Sequence, residues 1–297
     1  MDDKNSPSGP ALEMTSCPEF GAMAMSGAAA SPNQPRPSSG DRALLRLAAV
    51  LLISGFLIFF VVSLFHAGTA DPNSHRAVFA QYAASSSWIA VHLGIFAGFA
   101  AMVLGVYLLF SLFRDGRPAI ELSAQVGLVC TGVALGLTAA RYAVDGVVLK
   151  RAVDAWVATP APLKPGRFAA AEAVRALEEA LSSYQGIVLG VAMVLLAVLI
   201  IVTRRITRPV GYLLGVAGIA SVASGWILGT DGFAMQGSVP TQFGQACIFA
   251  AGIWLLARTW RTPSATPQPL PEQRADVEPA EPDRRVRRGH RRGGALT

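Results

Sequence analysis

The chain has 297 residues, of which 52% are hydrophobic, 15% charged and 8% aromatic, and its mean hydropathy is +0.44. Soluble domains carry about a quarter charged residues, so this balance excludes an ordinary water-soluble globule and points to a membrane protein. A net charge of +6 and a pI near 9.6 do not make it a nucleic-acid binder, because six arginines are concentrated between Arg284 and Arg292, beyond the last apolar run. A basic tail beside a membrane span holds that end in the cytoplasm and touches anionic lipid.

Residues 1–41 are rich in Pro, Ser, Gly and Ala without apolar periodicity and read as a disordered tail. The tail is too long and too weakly basic for a signal-peptide n-region, and Met14, Met23 and Met25 leave the start residue open. Residues 262–297 form a second, basic tail. Between them, 42–261 hold six apolar segments, at about 43–66, 88–113, 122–145, 183–203, 209–230 and 241–260, each near the roughly 20 residues that cross a bilayer. Long continuous runs exclude an alternating barrel pattern, and backbone exposed to lipid must bond internally. The predicted fold is therefore all-α, a polytopic bundle of six transmembrane helices.

Basic residues orient the bundle. Arg42 and Arg46 precede the first span, Arg114 and Arg117 fill the second connection, Arg204, Arg205 and Arg208 the fourth, and Arg258 and Arg261 follow the sixth. The first connection has Arg76 alone and the fifth has no Lys or Arg, so both termini are predicted to be cytoplasmic.

Two outer connections carry structure. Asp71-Pro72 starts a short interfacial helix through Ala77, Val78, Phe79 and Tyr82, ended by Ser85-Ser86-Ser87, with Trp88 at the headgroup level. In the third connection, Tyr142, Leu149 and Trp156 recur every seven residues, with Val153 between, until Pro160-Ala161-Pro162. Arg141 with Asp145, and Lys150 with Asp154, are four apart and can neutralise each other. After Lys164-Pro165-Gly166 a second helix runs through Phe168, Val174, Leu177, Leu181, Tyr184 and Val188 into the fourth span. Helices three and four thus extend into an outer hairpin, with Glu172, Arg175, Glu178 and Glu179 on its wet side.

Small residues repeat every four positions: Gly94 and Gly98, then Gly132, Gly136 and Ala140, then Gly186 and Gly190, then Ala217, Ser221, Gly225 and Gly229, and a short pair Ala246 and Ala250. In lipid such stripes let backbones approach closely, and the helix-five stripe is also a route to a homodimer. Cys17 lies in the tail, and Cys130 and Cys247 lie in apolar runs offset by about 10 Å of helix, too far for a bridge. No metal spacing accompanies them.

Ionisable groups inside spans are costly and therefore point to function. His66, His92, Arg141, Asp145 and Asp231 all fall near the outer ends of their helices, with Tyr184, Gln185, Gln242 and Gln245 at similar depth. They are the ligand-binding candidates, a polar outward-facing vestibule for a small molecule, ion or lipid headgroup. Haem between His66 and His92 needs only two histidines at matching depth, but no further residue supports a metal site, and no cofactor is expected. There is no HExxH, GxSxG or P-loop and no paired intramembrane carboxylate, so no enzyme activity is expected. Glu121 reads as a helix N-terminal residue.

The stretches Ala77 to Gly98, Tyr142 to Trp156 and Ala169 to Gly190 resemble a group of uncharacterised six-span bacterial integral membrane proteins that share this outer hairpin. The resemblance covers roughly 43–260. It implies a bacterial inner-membrane location and carries no catalytic residue, since that group has no assigned activity. Two functional readings arise: a binding module using the vestibule, or a membrane-anchored interaction protein using the outer hairpin or the basic tail.

Overall fold

The structure, a computed structural model, describes residues 38–66, 68, 70–114, 116–233 and 235–261. Cys17, the alternative start methionines, Arg284–Arg292 and His290 lie outside these residues. A helix satisfies its own backbone without water, and the apolar runs take that form: α1 Ser39–Ser63, α3 Trp88–Phe110, α4 Pro118–Ala143, α6 Lys164–Thr203, α7 Arg208–Asp231 and α8 Met235–Arg261. Shorter pieces are α2 His75–Ala84, a π-helical turn Val144–Leu149 that joins α4 to α5 (Lys150–Ala158), and one 3-10 turn Ala161–Leu163. Prolines sit in the first turns of α4, α6 and α7, where the missing N–H costs no helical bond. Six helices are long and apolar enough to cross a membrane, and the molecule is an all-α, multi-pass membrane bundle.

The long helices form a closed ring in the order α1, α3, α4, α6, α7, α8 and back to α1. At one end Met102, Val106, Phe110, Leu196, Ile200 and Leu214 fill the centre. At the other, α5 and the first part of α6 form the expected hairpin, turning at Pro160. Leu149, Val153 and Trp156 are buried there as their spacing predicts. Lys150 meets Asp154 at 2.6 Å and also donates to the Ala83 carbonyl at the end of α2.

Helix α2 exists but does not lie on lipid with its apolar side. Val78, Phe79 and Tyr82 pack instead with Trp88, Leu149, Val153 and Trp156 into a second core. Trp88 correspondingly leaves the headgroup position expected of it: it is 1% exposed, and its indole Nε1 donates to the Asp145 carbonyl at 3.1 Å. An indole needs both apolar surroundings and one acceptor, and the protein interior supplies both.

Close approach is set by some of the small residues. A Cβ added to Gly98 would lie 2.5 Å from the Phe59 nitrogen of α1, and one added to Gly190 would lie 2.6 Å from the Gly218 carbonyl oxygen of α7. Ser221 donates to the Gly186 carbonyl across the same seam at 2.8 Å. The stripe Ala217, Ser221, Gly225 and Gly229 is thus engaged within the chain against α6. Gly132 and Gly136, by contrast, have nothing within 4 Å of an added Cβ, and Ala246 and Ala250 are exposed. A competing stripe on α4, Ala124, Gly127, Thr131, Ala134 and Thr138, turns inward in their place, and α8 packs through Gly244 and Gly252.

Arginines opposite the hairpin cap neighbouring helices. Arg46 donates to the Thr259 carbonyl at 3.1 Å and Arg205 to the Leu112 carbonyl, each an orphan acceptor at a helix C-terminus. Arg204 takes the left-handed conformation, φ 56°, that ends α6.

Adding a methyl at Gly98 forces backbone apart, whereas one at Gly132 meets open space. Gly98→Ala should cost about 1–3 kcal/mol and Gly132→Ala no more than about 0.5 kcal/mol, read as melting temperature in one detergent.

Candidate functional site

The ring is filled at one end only. Between the hairpin end and the middle of the bundle lies a cavity of about 820 Å³, its wall contributed by α1, α2, α3, α4, the π turn, α6, α7 and α8. Its floor is apolar, with Phe56, Phe59, Phe99, Leu189, Met193 and Ile248. Its upper wall is polar, with Arg141, Asp145, Arg175, Glu178, Ser182 and Gln185, joined by Gln245 from α8. Wall residues that are exposed, including Phe60, Leu64, His66, Thr241 and Gln242, belong to the end of α1 and the first half of α8.

Asp145 reaches the cavity because α4 stops being α-helical. The π turn rotates the downstream residues away from the four-residue register, so Asp145 does not pair with Arg141 as their spacing suggests. Gly146 lets α3 come close: an added Cβ would lie 2.8 Å from the Cβ of His92. As a result His92 Nε2 stands 2.9 Å from Asp145 Oδ2, an ion-pair contact whose N–H direction is off line for a hydrogen bond. His92 Nδ1 is 2.8 Å from the Trp88 carbonyl oxygen, which can only accept, so Nδ1 carries a proton.

Arg175 and Glu178 overturn their predicted place on a wet face. They are 5% and 1% exposed, and Arg175 Nη1 meets Glu178 Oε2 at 2.9 Å. Arg175 also stacks over Phe233 at 4.0 Å and donates to the Tyr82 hydroxyl at 3.4 Å, while Glu179 approaches its Nε at 3.6 Å. Burial pushes the Tyr82 phenol up to about 12 against the opposing pull of Arg175, so it stays protonated. Of the four supposed wet-side residues, Glu172 pairs with His75 of α2 at 3.1 Å at the protein surface. Meanwhile Leu177 and Tyr184, expected inside, are 51% and 66% exposed. Helix α6 is rotated so that Arg175, Glu178, Ser182 and Gln185 face in, and Ala169, Ala173, Ala176, Leu177, Ala180 and Tyr184 face out.

Arg141 is held differently. Its Nη1 donates to Gln185 Oε1 at 3.4 Å and its guanidinium lies over the Tyr142 ring at 4.9 Å, with no carboxylate at ion-pair distance among the described residues. Arg141 Nε, Arg175 Nε, Ser182 Oγ and Asp145 Oδ1 are all buried without a hydrogen-bond partner from the protein.

The structure therefore brings His66, Arg141 and Asp145 of the sequence candidates to one cavity, with His92 behind Asp145. Asp231 is not among them. It ends α7, is exposed and lines no part of the cavity. The His66 and His92 rings are 5.0 Å apart, centroid to centroid, and both nitrogens of His92 face protein oxygens. Ligation by His92 would have to break one of these two contacts. Cys130 and Cys247 are free thiols.

Neither a protein-family model nor a curated protein nor a solved structure matches this chain. Residue roles accordingly rest on the geometry alone.

Removing one partner of a buried ion pair leaves the other charge uncompensated. Glu178→Met and Arg175→Met should each destabilise the protein by about 3–5 kcal/mol, and the double variant by less than either single one. A double-mutant cycle on thermal unfolding in detergent measures this; equal additive losses would show that the two side chains do not act as a pair.

Proposed function

We propose that the protein is a binding module for an amphiphilic small molecule, held in the central cavity with its polar part toward the hairpin end. One observation carries the reading: a cavity of about 820 Å³ combines an apolar, aromatic floor with a polar wall holding buried side-chain atoms that lack protein partners. Ligand pockets are commonly about 300–1,000 Å³, mostly apolar, with a few converging polar groups. A bare ion is a poor match for so large an apolar floor. From Arg175 to Met193 the wall descends along α6 by about 27 Å at 1.5 Å per residue, from the hairpin into the span. An amphiphile lying along that axis has the orientation of a lipid in one leaflet.

The membrane orientation supports access from outside the cell. The end opposite the hairpin carries Arg42, Arg46, Arg114, Arg117, Arg204, Arg205, Arg208, Arg258 and Arg261, while the five basic residues of the long hairpin connection stand among four acidic ones. The positive-inside rule then puts both termini in the cytoplasm and the polar end of the cavity on the outer side of a bacterial inner membrane.

Topology is testable by single cysteines in a chain lacking the three native ones. A Leu163→Cys probe in the hairpin turn should label with an impermeant maleimide added to intact cells, and Gly116→Cys should stay protected until the membrane is opened. The reverse pattern would sink the orientation.

Ligand binding is testable by thermal shift and by mass spectrometry of lipid extracts from the purified chain. Single-chain amphiphiles should raise the melting temperature in a dose-dependent way, by an amount following the logarithm of ligand excess over Kd. Leu189→Trp, which builds bulk into the cavity floor, should abolish the shift while leaving the helical circular-dichroism signal intact. A shift that survives in this variant places the amphiphile elsewhere.

A further inference from the structure

From the polar wall we infer the chemical class of ligand: a single-chain amphiphile whose head is an oxyanion, a carboxylate or a phosphate monoester, bound at Arg141. The inference rests on the binding-module reading of the cavity and adds the charge of the head.

Charge comes first. Each carboxylate on the wall has its own nitrogen partner, Glu178 the permanently cationic Arg175 at 2.9 Å and Asp145 the imidazole Nε2 of His92 at 2.9 Å. Arg141 has no carboxylate at ion-pair distance among the described residues, and its side chain donates to the neutral amide of Gln185. A guanidinium cannot lose its charge to adapt to burial, so its deficit is lasting. Half-buried and lining this cavity, it is the wall's open cationic position.

Hydrogen bonding agrees. Of the buried cavity-wall atoms lacking a partner, Arg141 Nε and Arg175 Nε are donors only, Ser182 Oγ is a donor or acceptor, and Asp145 Oδ1 alone is an acceptor in its ionised form. A head rich in acceptor oxygens satisfies this set, and an ammonium head, which cannot accept, does not. Bonds between a guanidinium and an oxyanion are both shorter and stronger than neutral ones.

Position completes the argument. Arg141 and Gln185 touch across α4 and α6, where the polar wall gives way to the apolar floor. Gln185 is eight residues, about 12 Å of helix, above Met193. A head at Arg141 thus leaves its chain among Phe56, Phe59, Phe99, Leu189 and Met193.

The test uses the full chain in phosphatidylcholine nanodiscs, with protein-free nanodiscs subtracted. Parinaric acid, a fluorescent long-chain carboxylate, is titrated and then displaced by palmitate, hexadecyl phosphate, hexadecanol or hexadecyltrimethylammonium. Displacement by palmitate or hexadecyl phosphate at least about tenfold better than by the alcohol is the expected result, and the stronger of the two identifies the head. Arg141→Gln should weaken both oxyanions by about tenfold without changing the alcohol, and Arg141→Lys should restore part of the loss, which guards against a variant that fails to fold. Equal displacement by alcohol and oxyanion, tighter binding of the ammonium, or an unchanged Arg141→Gln overturns the inference and leaves the amphiphile reading standing. No saturable binding of any of the four overturns both.

Discussion

Charge avoidance of lipid organises this molecule. A helix in water hides its apolar stripe, while a helix among acyl chains does the opposite and collects its polar groups toward its neighbours. Helix α6 keeps its polar groups toward its neighbours along its hairpin part as well as its span. Arg175, Glu178, Ser182 and Gln185 look inward, and the face from Ala169 to Tyr184 that meets the surroundings is alanine, leucine and tyrosine. Once the polar side is inside, its charges need partners, and this requirement draws in Tyr82 and Phe233 around Arg175 and brings His92 to Asp145. Those partners cannot also pack tightly against the apolar ends of the neighbouring helices. The polar wall and the cavity under it are two results of one constraint.

Small residues decide where the ring closes. Without a hydrophobic drive between helices, the tightest seams are those where backbones touch, and they are found at Gly55 with Gly98 and at Gly186 and Gly190 with Gly218, Ser221 and Gly225. Gly146 adds a third, against His92, at the π turn. The large residues of α3 and α6, such as Phe110 and Ile200, then fill the ring at the arginine end. Toward the hairpin the ring gains polar side chains in place of that filling, and α2 is fixed there by Phe79 and Tyr82 in the second core.

Much of the fold was legible in the sequence, because span length, arginine placement and proline stops are local signals. The hairpin turn at Pro160 and the buried seam of Leu149, Val153 and Trp156 followed from spacing alone. Half of the site was not legible. On α6 the sets Leu177, Leu181, Tyr184, Val188 and Arg175, Glu178, Ser182, Gln185 both step by three and four, so periodicity identifies two faces without saying which is inside. A surrounding of water would turn the polar face outward, and α6 turns it inward. The same ambiguity explains Gly132 and Gly136, whose stripe competes with an equally regular one through Gly127 and Thr131. Asp231 was grouped with the others by depth, yet depth says nothing of angle around the helix. The π turn at Asp145 had no sequence signature beyond Gly146 and a run of branched residues, which many ordinary helices share.

Arginine does two different jobs at the two ends, and the difference marks the site. Arg46 and Arg205 each donate to a helix C-terminal carbonyl, where they complete orphan acceptors at a boundary and keep the rest of the guanidinium for water and lipid headgroups. Arg175, at the hairpin end, is enclosed by a carboxylate, a phenol and an aromatic ring. Arg141 has the enclosure, the ring of Tyr142, without the carboxylate. A capping arginine can be exchanged for another donor at little cost, because a carbonyl accepts from many groups. Arg141, half-buried, donates to a side-chain amide instead of a helix-end carbonyl, and its guanidinium lines the cavity.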